Sequence, residues 1–166
     1  MRTVAAVITG LAHAAVCVPD IDTAVQWYAD VLGFRVLSPP YRMEGETIER
    51  DMRELVPAPV VVTAAIVGLE SGDHVIELVE YPNASPDPAA PSIVHQGPTH
   101  IGLVCDDIEA TRARLEAHGV EFLTTGFADI ARLRTAWFRD PWGTVFILME
   151  KSRVERPYWQ QYGPRA

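Results

Sequence analysis

Apolar residues gather along this chain in two stretches of the same design. Residues 7–18 are β-branched and small apolar and end at Pro19-Asp20, which predicts a strand running into a helix start. Ile21, Ala24, Val25, Tyr28 and Leu32 then recur at three- and four-residue spacing. That is one face of an amphipathic helix, with Asp20 or Asp22 as its cap and Gly33 as its left-handed stop. The succession returns later: Ile101 to Cys105 as a strand, Asp107 as a cap, a helix through Ile108, Thr111 and Leu115, and Gly119 as the stop. A short strand is expected after each helix, Phe34 to Leu37 and Val120 to Leu123. A hairpin follows in each half, Val60 to Leu69 with His74 to Tyr81, and Arg134 to Arg139 with Thr144 to Glu150. The turns are Glu70-Ser-Gly-Asp73 and Asp140-Pro-Trp-Gly143, built from residues that tolerate tight geometry. Each half is therefore a βαβββ unit.

The two copies align residue by residue. His13-Ala-Ala-Val-Cys-Val-Pro-Asp20-Ile21-Asp22, leading to Leu32-Gly33-Phe34, matches His100-Ile-Gly-Leu-Val-Cys-Asp-Asp107-Ile108-Glu109, leading to His118-Gly119-Val120. One mismatch stands out: where the first half carries Glu77, the second carries Ile147. The first half is longer by 16 residues between its glycine stop and its last strand. The extra length falls around residues 39–59, where charge and proline predominate and Ile48 to Leu55 is expected to form a short helix. An insertion there suits a lid, an interface arm or a solvated excursion. The expected organisation is one domain over residues 1–166: a first module at 5–81 with its insertion at 39–59, a stiff Pro-rich connector at 82–98, a second module at 99–151, and an aromatic tail at 152–166.

Composition narrows the function. The chain has 166 residues, 48% of them hydrophobic, enough to bury a core for two half-size modules packed as one unit. A net charge of -8 without a basic run excludes a nucleic-acid partner. No apolar run reaches the roughly 20 residues that span a bilayer, so no membrane partner is expected. The start, Met1-Arg2 with Val4 to Ile8 and Ala12-His13-Ala14, loosely imitates a signal peptide, but cleavage there would delete a strand whose repeat partner at His100 is internal. Cys17 and Cys105 lie one position out of register in the repeats, which predicts two buried reduced thiols on opposite sheet faces and a cytoplasmic setting.

The candidate chemistry lies on the repeated strands. Glu77 alternates with Val75 and Val79 while Ile76 and Leu78 take the other face, so both faces read as buried. A carboxylate there is costly unless it is paired, hydrogen-bonded or metal-bound. His13 shares its face with Leu11 and Ala15, and His100 with Gly102 and Val104. Singly, each histidine fits a satisfied core residue and Glu77 fits an arginine partner. Two histidines at equivalent positions, with Glu77 at a third, favour a site. Glu150 lies three residues past Ile147 and faces the other side of a regular strand, with Glu80 as its counterpart; both read as strand-end charges. His118 suits a helix C-terminus, His74 opens a strand, and His95 lies in the connector. Trp27, Tyr28, Trp137 and Trp142 read as core or interface aromatics.

Paired βαβββ modules, a histidine in the first strand of each, Val18-Pro-Asp-Ile-Asp22 with Trp27-Tyr28 and Leu32-Gly-Phe34, and Asp140-Pro-Trp-Gly143 together resemble the vicinal oxygen chelate superfamily. That superfamily includes glyoxalase I, methylmalonyl-CoA epimerase, extradiol dioxygenases, and the fosfomycin and bleomycin resistance proteins. The resemblance implies an α+β fold whose two modules curve mixed sheets around a shared cavity. It also implies metal ligands on the first and last strands of each module, which here are His13, Glu77, His100 and the non-ligating Ile147. It further implies a divalent metal ion (Zn, Ni, Co, Mn or Fe), a small oxygenated substrate held through adjacent oxygens, lyase or isomerase chemistry with Glu77 as metal ligand and proton acceptor, and a homodimer. Two alternatives follow from the same residues. Two histidines and a glutamate form the facial set of non-haem Fe(II) dioxygenases, and loss of the fourth ligand to Ile147 is what a non-catalytic small-ligand binding protein would show.

Overall fold

In the computed structural model, which describes residues 12–69, 74–84, 94, 97–130, 133–152 and 155–157, the chain forms two compact units, Met1–Pro86 and Asp87–Ala166. In the first unit β1 (His13–Cys17) leads into α1 (Ile21–Asp30), followed by β2 (Arg35–Glu44), α2 (Glu46–Met52), β3 (Val61–Gly68) and β4 (Val75–Glu80). The second unit runs β5 (Ile101–Cys105), α3 (Ile108–Ala117), β6 (Ala128–Ile130), β7 (Leu133–Arg139) and β8 (Val145–Lys151). Each unit is a four-stranded mixed sheet, in order β1-β4-β3-β2 and β5-β8-β7-β6. The first and last strands of each unit lie side by side and parallel, a pairing that needs a long crossover between them.

The helices start and stop where the side chains dictate. Asp20 Oδ1 accepts the Thr23 N–H at 2.7 Å, and Asp107 Oδ1 accepts the Ala110 N–H at 2.9 Å. Gly33 and Gly119, at φ 74 and 80, take the left-handed turn that ends each helix. Helix α1 buries Ile21, Ala24 and Tyr28 against β2, β3 and β4. Helix α3 buries Ile108 and Leu115, beside a stacked Phe138–Phe146 pair with ring centroids 5.1 Å apart. Ala136, Phe138, Phe146 and Leu148, at alternate positions of β7 and β8, supply the buried helix-facing side of the sheet, which ends at the charged Arg134–Glu150 contact.

Three expectations change. Strand β2 does not stop at Leu37. It continues to Glu44 through Pro39-Pro40, and its pairing with β3 shifts register on both sides of Ser38. Prolines are tolerated there because β2 is the sheet edge and the register shifts absorb the missing donors. The insertion is thus half strand and half helix, and α2 begins two residues before the expected Ile48. In the second unit, residues 120–123 form only one bridge, Phe122 with Phe138, and the edge strand is Ala128–Ile130. The bent Thr124-Thr125-Gly126 segment interrupts pairing, while Phe122 is held under the Arg112 guanidinium at 4.4 Å. The hairpin turn at 70–73, most of the connector with His95, and the tail beyond Pro157 lie outside the described residues.

Glu80 and Glu150 are more than strand-end charges. Glu80 Oε2 accepts the Ile21 N–H at 3.0 Å, and Glu150 Oε2 accepts the Ile108 N–H at 2.7 Å. Each last strand thereby ties a carboxylate to the first residue of its helix, where unpaired N–H groups and the helix dipole favour negative charge. Replacing either glutamate with alanine should lower unfolding free energy by about 1–2 kcal/mol, because a half-buried amide loses its acceptor. Urea denaturation reads this directly, and two variants as stable as the parent would contradict the anchoring role.

Candidate metal centre

The parallel pairing of β1 with β4 sets the geometry of the first unit's open sheet face. Ala15 pairs with Glu77 and His13 with Val75, so the His13 and Glu77 side chains leave the same face in a diagonal relation. They meet there, His13 Nε2 lying 3.2 Å from Glu77 Oε2. Glu77's partner is a histidine rather than an arginine. The expectation that this face is buried does not hold at its centre: the Glu77 side chain is 21% exposed and that of His13 43%. The helix side of β4 is closed, with Ile76 and Leu78 buried.

At the far end of this face the insertion builds a wall. Met43, Ile48, Met52, Val56 and Tyr81 pack on Val60, Val62 and Val79. Glu49 Oε1 accepts the Val60 N–H at 2.6 Å, and Asn83 Nδ2 donates to the Pro59 carbonyl at 2.8 Å. Packed and hydrogen-bonded in this way, the insertion is a fixed side of the face rather than a loose lid. Tyr81 continues the Glu77, Val79 parity, and its phenol is pushed above the usual range by burial and then by Cys17 and Glu77 nearby. It therefore remains a neutral hydroxyl beside the pair. Period-two counting from Glu77 would have found it.

The second unit repeats the backbone and changes the chemistry. Gly102 pairs with Ile147 as Ala15 pairs with Glu77, so the register makes Ile147 the structural counterpart of Glu77. Across the sheet Trp137 stands opposite Ile147, where the first unit places Ile66 opposite Glu77. The terminal methyl of Met149 lies over Gly102, in space a Cβ there would occupy. His100 meets Trp137 edge-on, ring centroids 4.8 Å apart, and its Nδ1 is 2.7 Å from Thr99 Oγ1. The structure brings His13 and Glu77 together; among the described residues no three His, Cys, Asp or Glu side chains gather into one cluster.

The model of the Glyoxalase/Bleomycin resistance protein/Dioxygenase superfamily matches residues 10–148. The chain belongs to this superfamily. It is 30% identical over 157 residues to a 2-epi-5-epi-valiolone epimerase from Actinomyces, covering 90% of this chain and 82% of that protein. It is 28% identical over 139 residues to the uncharacterised Escherichia coli K12 protein YaeR, covering 84% and 94%. Its fold matches that of a glyoxalase family protein from Bacillus cereus with a TM-score of 0.75 at 20% identity, covering 90% and 98% of the two chains.

Of the four ligand positions the superfamily resemblance marks, the residues present fit a cation best at His13 and Glu77. Neighbouring donors on a metal bound at about 2.0–2.2 Å stand about 3 Å apart, and the 3.2 Å between His13 Nε2 and Glu77 Oε2 has that span. Glu150 does not replace Ile147, because its carboxylate is held by the Ile108 N–H and lies 3.6 Å from Arg134. The other candidates have structural work. His118 Nδ1 lies 2.8 Å from the Arg114 carbonyl at the end of α3, and Asp140 Oδ1 accepts the Trp142 and Thr144 N–H groups in the Asp-Pro-Trp-Gly turn.

The cysteines are free but not buried as expected: Cys17 is exposed and Cys105 partly so. They do occupy opposite faces. Cys17 lies near Tyr81 on the Glu77 side, while Cys105 has a hydrogen bond to Thr111 of α3. Desolvation of each sulfur raises its pKa, with nearby carboxylates adding to the rise at Cys105. Both should therefore react with iodoacetamide more slowly near neutral pH than a cysteine in an unstructured peptide, the gap closing in alkali. Faster reaction at Cys17 would show that its sulfur is not desolvated.

Proposed function

We propose that this chain is a divalent-metal-dependent enzyme of the isomerase or lyase type, acting on a small oxygenated substrate through two neighbouring oxygens. The His13–Glu77 pair carries the reading: two donors of different chemistry meet at ligand spacing on the open face of a sheet whose other face is closed. His13 and Glu77 would hold the metal with His100 of the second module, from the same or a second copy of the chain. A metal with open positions polarises the substrate oxygens and lowers the cost of removing a proton from the adjacent carbon. Glu77 would take that proton and return it. The phenol of Tyr81 can donate to a substrate oxygen, and the insertion wall bounds the substrate on its apolar side.

Similarity to an epimerase supports proton-shift chemistry. Yet Ile147, at the register position equivalent to Glu77, offers no second carboxylate, so a one-base transfer is proposed in place of a two-base epimerisation. The same isoleucine, with Trp137 beside it, favours a second reading: the apolar face of the second module binds a small ligand without turnover.

Metal content separates the two. Protein purified without an affinity tag should carry near-stoichiometric zinc, nickel, cobalt or manganese by elemental analysis, and His13→Ala should lose it. No metal even after reconstitution would sink the enzyme reading and leave the binding protein. Iron that reacts with oxygen would instead indicate a dioxygenase. Ile147→Glu, restoring the fourth carboxylate at the register position of Glu77, should tighten metal binding by about tenfold or more, as expected of an added charged ligand. Unchanged affinity would count against the ligand set.

A further inference from the structure

We propose that Ser38 and Tyr41, which bulges in β2 bring onto the same sheet face as Glu77, are specificity residues that hydrogen-bond a second polar group of the substrate, two strands away from the oxygens held by the metal. This inference rests on the metal reading above and deepens it by giving the substrate a shape.

Strand register carries the inference. Residues directly opposite each other in antiparallel strands present their side chains to the same face. Glu77 stands opposite Ile66, and Ile66 opposite Ser38; Val79 stands opposite Ala64, and Ala64 opposite Tyr41. Two rows thus cross the open face from β4 to β2, and each ends in a hydroxyl. In a regular strand, residues at the spacing of Ser38 and Tyr41 face opposite ways. The register shift between them supplies the extra residue that reverses this parity, and bulges re-aim side chains in this way beside functional sites.

Neither hydroxyl is engaged by the fold. Ser38 Oγ lies 3.5 Å from the Pro39 carbonyl, beyond the usual O–H···O range. Tyr41 is 41% exposed, and its hydroxyl has no hydrogen-bond partner among the described residues. The floor between these groups and Glu77 is apolar, made by Ile66 and Ala64. With neighbouring strands about 4.8 Å apart, β2 stands about 10 Å from β4. A molecule chelated beside Glu77 and lying over Ile66 and Ala64 therefore meets two hydroxyls at its far end. The substrate that fits has a chelating pair of oxygens, an apolar middle the size of an aromatic ring, and a distal hydroxyl or carbonyl.

Hydroxamates, which chelate through two neighbouring oxygens, serve as probes on the cobalt-loaded full chain. The para-hydroxymethyl and para-hydroxyethyl benzohydroxamates carry the distal hydroxyl at two lengths, and the para-ethyl and para-propyl compounds replace it with a methyl group. The parent should bind at least one hydroxylated probe about three- to tenfold more tightly than its methyl counterpart, the worth of one uncharged hydrogen bond. The double variant Ser38→Ala, Tyr41→Phe should bind the members of each pair alike. Each comparison is made within one protein, so a general loss of metal or stability cancels from the ratio. A parent without the preference, or a double variant that keeps it, would overturn the proposal while cobalt and probes still bind. Failure of the metal reading has a different signature, a flat cobalt titration in the parent with no probe bound through the metal, and it would overturn both.

Discussion

The parallel contact between the first and last strands of each module is the constraint from which the rest follows. It puts Ala15 against Glu77 and Gly102 against Ile147, and so decides which side chains share the open face. Because the strands run parallel, a residue two places earlier on one strand reaches diagonally to its neighbour, as His13 reaches Glu77. The same pairing brings the end of the last strand to the start of the helix, where Glu80 and Glu150 meet the Ile21 and Ile108 amides. One alignment of two strands thereby fixes a candidate ligand pair on one face and a helix anchor on the other.

Duplication makes the asymmetry between modules informative. Each half keeps the glutamate that anchors its helix, so both halves keep the architecture. Only the first keeps the glutamate three residues earlier, on the opposite face. In the second module the corresponding region is apolar, with Trp137, Ile147 and Met149 around His100. The first module, in addition, carries the insertion, which walls one end of its polar face. The carboxylate of the open face is therefore kept in one copy and replaced by an apolar residue in the other.

Much of this was legible in the sequence because it depends on local periodicity. The helix limits follow from Asp20, Asp107, Gly33 and Gly119, and the equivalence of Glu77 with Ile147 follows from aligning the repeats. What was not legible depends on contacts distant in sequence. The run of β2 through Pro39-Pro40 requires knowing that it is an edge strand. The displaced β6 depends on Phe122 being held by Arg112 and Phe138. The half-open setting of Glu77 and the exposure of Cys17 depend on what covers that sheet face, which alternation of apolar residues does not specify.

The proposed function requires a bound divalent cation with His13, Glu77 and His100 as its ligands. X-ray absorption spectroscopy of the cobalt-loaded protein tests that most directly. It should show two imidazole nitrogens and one carboxylate oxygen in the first coordination shell, with the remaining positions filled by water. A shell of water oxygens with one imidazole, or none, would contradict it.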